Sequence, residues 1–136
     1  MTIRFTARAV GVDEDPELEC LTAGVAEDES GSGMVLLFMC GLLEPDELDA
    51  EHGEDTHCLV TADQATAYGA VERVVLRDKV LHVRITDDSL AELGLDDPEI
   101  EAVLDVDDDT VDRFRAGLRR VLDYGRPDAR PAQIEL

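Results

Sequence analysis

Apolar and polar side chains alternate from the first residues: Ile3, Phe5, Ala7 and Ala9 against Thr2, Arg4, Thr6 and Arg8. A period of two belongs to a strand with one face on a core and the other in water, so the spacing predicts a strand here. GVDEDPE, from Gly11, breaks the pattern; Pro16 has no amide to donate and four carboxylates favour solvent, which reads as a loop or wide turn. Strand character resumes in LECLTAGVA (Leu18 to Ala26), and EDESGSG (Glu27 to Gly33) has the composition of a turn. MVLLFMC, from Met34, shows no polar side at all and is expected as a central strand covered on both faces.

EPDELDAEHGED (Glu44 to Asp55) then places seven carboxylates in twelve residues without a Lys or Arg. Like-charge repulsion and low hydrophobicity predict a long exposed loop, with a helical turn through Asp46 to Ala50. THCLVT and YGAVERVVL bring strands back. VVLRDKVLHVRIT predicts a hairpin in which Val74 and Leu76 meet Leu81, Val83 and Ile85 across a tight turn near Asp78, leaving Arg73, His82 and Arg84 on the opposite face. Thr86 opens a short helix that stops at Gly94, and EIEAVLDV (Glu99 to Val106) is a further strand.

The last helix is signalled at both ends. Asp107, Asp108 and Asp109 stand where free amides and the backbone dipole favour anions, and Arg115, Arg119 and Arg120 stand where cations are favoured. Val111, Phe114, Leu118, Val121 and Leu122 make one apolar stripe, and Gly125 supplies the stop. The expected fold class is α+β: a mainly antiparallel twisted β-sheet of about six strands, with one C-terminal α-helix from about Asp108 to Tyr124 packed on one face. Residues 1–125 form a single domain by size, and 126–136, with two prolines and little periodicity, form a loosely ordered tail.

Charge sharpens this picture. The chain carries −21, and from Ala9 through Glu72 there is no Lys or Arg; that window holds seventeen acids, whereas the remainder holds sixteen acids against twelve bases. A surface adapted to salt would be acidic throughout, so the segregation favours a dedicated face. Polyanions and anionic lipid are repelled by such a domain, which excludes nucleic acid and membrane surfaces as partners. The N-terminus does not have the form of a signal peptide, and the longest apolar run, Met34 to Leu43, is about half of a bilayer span. A cytoplasmic protein is expected, with Cys20, Cys40 and Cys58 as buried reduced thiols.

Catalytic constellations fail one by one. DVDDDTVDRFRA, from Asp105, starts like a calcium loop, but Thr110 stands where glycine is needed and Ala116 where the bidentate glutamate is needed; helix capping accounts for it. His52, Glu54, His57 and Cys58 form the best metal candidate, although His-x4-His matches neither a zincin nor a finger. The charge instead suits a strongly basic protein surface, such as the substrate cleft of a nuclease, because opposed fields raise association to about 10^8 to 10^9 M^-1 s^-1 against about 10^5 to 10^6 for neutral pairs.

MTIRFTARAVGVDEDPELECLTAGVAEDESGSG, LEPDELD, GEDTHCLVT, YGAVE and LDVDDDTVDRFRAGLRRVL, in that order, resemble the immunity protein 10 family of bacterial polymorphic toxin systems, common in actinobacteria. The resemblance implies a largely β-stranded protein, encoded beside a toxin gene, that neutralises the toxin by direct binding; the failed motifs, for their part, lead to the expectation of a non-enzymatic protein without a cofactor. Two departures stand out: the Arg77 to Lys79 turn lacks Asp-Gly, and the tail after Arg126 is idiosyncratic. The family gives no binding residues to carry across, so the expected contact set rests on charge: Asp13, Glu14, Asp15 and Glu17, then Glu44, Asp46, Glu47, Asp49, Glu51, Glu54 and Asp55, with Leu48 as an apolar anchor. The rival readings are a metal-binding protein or metal-dependent enzyme using His52, Glu54, His57 and Cys58, and an acidic, nucleic-acid-mimicking regulator of a DNA-binding protein. An exposed edge strand would also support a homodimer.

Overall fold

The computed structural model describes residues 2–17, 19–28, 30, 33–42, 47–51, 56–62, 65–125 and 130–136, with 49 and 50 described in their backbone only. Its strands, in chain order, are β1 (Ile3–Ala7), β2 (Ala9–Asp15), β3 (Cys20–Ala26), β4 (Val35–Gly41), β5 (Cys58–Thr61), β6 (Thr66–Tyr68), β7 (Val71–Arg77), β8 (Val80–Ile85), β9 (Glu99–Leu104) and β10 (Gln133–Glu135). The helices are α1 (Glu47–Glu51), α2 (Leu90–Leu93), entered through a 3-10 turn at Asp87–Ser89, and α3 (Asp108–Leu122). The α+β class holds, but the single expected sheet is two: sheet 1 in the order β1-β9-β8-β7-β10 and sheet 2 in the order β2-β3-β4-β5-β6. Most pairings are antiparallel; β1 with β9 and β10 with β7 are parallel.

The first stretch shows why alternation missed the division. Ala7 ends β1 in sheet 1 and Ala9 begins β2 in sheet 2, so the chain changes sheets at Arg8 although the alternation of the sequence runs on. Ala7 is buried, whereas Ala9 lies on the outer face with Gly11 and Val10 takes the core side. The Arg8 amide donates to Ala26 O at 3.0 Å, while Ala7 O accepts from Asp105 N at 2.8 Å. Periodicity reports how side chains alternate within one strand and carries nothing about the partner strand or about which face comes next after a change of sheet. Gly11 to Asp15, expected as loop, pair in full register with β3 from Ala9↔Ala26 to Asp15↔Cys20. β2 is an edge strand, where acids are tolerated because one side of the backbone faces water.

Within sheet 2, β3 and β4 alternate between buried and half-buried positions: Leu21, Ala23, Val25, Leu36 and Phe38 point to the core. Helix α3 packs on that inner face. Phe114 meets Phe38 edge-on, ring centroids 6.5 Å apart at 66°, a favoured aromatic geometry. Gly117 lets the helix approach β2 so closely that a methyl group there would lie 2.6 Å from Val12 Cγ2. The Asp107 side chain accepts from Thr110 N at 2.8 Å as the N-cap, the capping role expected of the aspartate run.

In sheet 1 the hairpin forms as read, with Val74↔Val83 and Leu76↔Leu81 in register. Asp78 and Lys79 both have positive φ, 50° and 64°, which is what a two-residue I′ turn requires even without glycine. Gln133–Glu135, in the stretch expected to be loosely ordered, lie parallel to β7 with Ile134 opposite Val74. Arg77 pairs with Glu135 at 2.8 Å, and Arg119 Nη2 donates to Leu136 O at 3.0 Å. Among the described residues no helix is long and apolar enough to cross a membrane.

Candidate functional site

The charge-segregated window and the fold coincide. Residues 9–72 contain every strand of sheet 2, so that sheet and its connections hold no lysine or arginine. The bases lie on sheet 1, its turn, α3 and the tail, with Arg8 at the crossing between the two sheets. On the outward face of sheet 1 they are answered across the strands: Arg4 with Glu101 at 2.8 Å, Arg84 with Glu99 at 2.6 Å and with Glu72 at 3.1 Å, and His82 Nε2 3.4 Å from Glu101. These pairs are open to solvent and each is worth little in stability. Their consequence is a near-neutral face on one sheet, while the other sheet has acids and no base of its own.

The expected contact carboxylates divide. Asp13 and Asp15 alternate onto the outer face of sheet 2, away from α3, and Asp15 Oδ1 accepts from Glu17 N at 3.0 Å in the turn that follows. Glu14 points the other way, toward the helix, and pairs with Arg120 at 3.0 Å. It therefore does not share a face with its neighbours in sequence, as a loop reading had allowed. Glu47, Leu48 and Glu51 are exposed on α1, Leu48 with 59% of its surface in solvent. Asp49 lies in the same helix, with only its backbone described, and Glu44, Asp46, Glu54 and Asp55 lie outside the described residues.

Pairing register places the β2–β3 turn and the end of β4, from which the chain runs on to α1, at one end of sheet 2. Asp15, Cys20 and Gly41 are neighbours across three strands, and Leu42 N donates to Glu19 O at 2.9 Å. The chain to α1 thus leaves beside the β2–β3 turn, and it returns at Cys58, opposite Met39.

Sequence reasoning missed the face beside them. The positions of sheet 2 that point away from α3 are largely apolar: Val35, Leu37 and Met39 on β4, Cys58 and Val60 on β5, and Tyr68 on β6. None is buried, and Tyr68 is 45% exposed. MVLLFMC was expected to be covered on both sides; α3 and the core cover one. Gly11 and Gly24 sit opposite each other in register and leave a shallow groove of about 340 Å³, walled by Leu37 and Thr22 with Asp13 at its rim. The signal was present in the sequence, in a strand with no polar side.

The metal alternative loses its centre. His57 is fully buried, while Cys58, next in β5, turns to the outer face. Val71 N can only donate, so the 3.3 Å contact makes His57 Nε2 the acceptor and leaves the proton on Nδ1, 3.2 Å from Thr56 Oγ1. Both ring nitrogens are engaged within the fold. Burial lowers the pKa of His57 to about 4, so the ring is neutral at pH 7. Among the described residues no three His, Cys, Asp or Glu are grouped to hold a metal ion; His52 and Glu54 lie outside them. Of the cysteines, all unbridged, only Cys40 is buried; burial raises its thiol to about 11, an inert form.

Against known families, a model described as Immunity protein 10 matches residues 6–112 of the 136. Neither the curated proteins nor the solved structures yielded a match.

Proposed function

The chain belongs to the immunity protein 10 family, and from that premise we propose that it is a non-catalytic cytoplasmic inhibitor that binds a cognate toxin with a basic surface, a nuclease by the logic of charge. One observation carries the reading: sheet 2 contains no cation, and its two acidic segments, the β2–β3 turn and the stretch through α1, leave the same end of the sheet. Carboxylates gathered there would stand where the phosphates of the toxin's substrate sit. Long-range attraction speeds the encounter and fixes its register. Leu48, exposed on α1, would add an apolar anchor to that segment.

The test is kinetic. Stopped-flow association with the toxin domain encoded beside this gene, in a catalytically inactivated form, is compared for the wild type and the triple variant D46K/E47K/D49K. Association should slow by about tenfold or more and its dependence on salt should flatten. Wild-type rate and salt slope in the variant would place the docking surface elsewhere.

A further inference from the structure

We propose, on the basis of the toxin-binding reading, that the toxin seats on the outer face of sheet 2: apolar side chains of the partner fill the groove over Gly11 and Gly24 and cover Leu37, Met39 and Val60, while its cations meet Asp13, Asp15 and the acidic turn. Three observations lead there. First, β4 offers no polar face, and its outward residues Val35, Leu37 and Met39 are half-buried where its inward ones are buried. Second, the same molecule shows how it dresses a sheet face meant for water. On its outer side sheet 1 interrupts Val75, Val80 and Val103 with Arg4, Glu101, His82, Arg84 and Glu99, paired across strands. The outer sides of β4 and β5 carry no such charges. An apolar centre with a charged rim is instead the anatomy of a protein interface. Third, the groove is real space: a Cβ built on Gly11 meets nothing within 4 Å.

Charge selects the occupant. A second copy laid on this face would bring together two segments, residues 9–68, that each hold sixteen acids and no base. Like charges facing each other across an apolar contact are expensive to desolvate. A basic partner turns the same rim into attraction. The division of labour follows: rim carboxylates govern the association rate, and the apolar centre governs how long the complex lasts.

Two variants separate the terms. Gly11→Leu fills the groove from an edge strand with space for the side chain, so its circular dichroism and melting should match the wild type. Leu37→Ser removes the groove's wall from a half-buried position on a central strand, so its melting should fall while its circular dichroism at the assay temperature stays that of the wild type. Against the inactivated toxin domain, each should raise the dissociation rate by about tenfold or more while association and its salt slope stay near the wild type. Dissociation unchanged in both, with wild-type binding intact, would overturn the outer-face docking and leave toxin neutralisation standing. No binding by the wild type would overturn toxin neutralisation and this surface with it. A wild-type dimer in sedimentation that Gly11→Leu dissolves would overturn the proposal by giving the face to a second copy.

Discussion

His57 is the residue whose chemistry departs furthest from its exposed state. Its neutral ring accepts from Val71 N and donates to Thr56 Oγ1 without access to water. Its folded pKa is lowered to about 4, so as pH falls the unfolded chain takes up the proton first, near pH 6.5. The stability it contributes is complete above pH 6.5, is lost between pH 6.5 and pH 4, and falls no further below that. The full loss is about 3 kcal/mol. Urea unfolding at pH 7 and pH 5.5 should show a lower midpoint at the acid value, and His57→Leu should lose most of that slope. An equal slope in the variant would assign the pH dependence to other groups. None of this was readable in the sequence, where HGEDTHC looked like metal ligands; burial is settled by which strand His57 precedes and what packs over it.

At the scale of elements, α3 and the β7–β8 hairpin were legible because their signals are local. Asp107 caps, the stripe from Val111 to Leu122 repeats, and the Asp78–Lys79 turn falls between two alternating runs. β2 was not, since its place at an edge depends on β3 and not on its own acids. The contact between β2 and α3 makes a sharp test. Gly117→Ala would ordinarily stabilise a helix by about 1 kcal/mol, but its methyl group would lie 2.6 and 2.9 Å from the two Cγ atoms of Val12. Overpacking of that kind costs about 1 to 3 kcal/mol, so Gly117→Ala should lower stability by about 1 kcal/mol in urea unfolding. In a Val12→Ala background the sign should reverse and the propensity gain should emerge.

For the whole molecule, the sequence shows plainly that charge is segregated, and the fold assigns that segregation to one sheet. The number of sheets and the bare side of β4 stayed hidden because both are relations between distant segments. Repulsion within sheet 2 opposes compaction and is screened by salt, whereas the exposed pairs on sheet 1 contribute little to begin with. Raising salt from about 0.02 M to about 0.5 M should therefore increase the unfolding midpoint; a decrease would mean that the sheet 1 pairs outweigh the repulsion.

The largely apolar, cation-free outer side of sheet 2 has a colloidal consequence. With a pI near 4.1, the protein at neutral pH surrounds that apolar patch with a repelling field, a guard that should keep copies dispersed. Acidify a stock toward that value and the guard is discharged while the patch remains, so turbidity should begin there and clear on return to neutral pH.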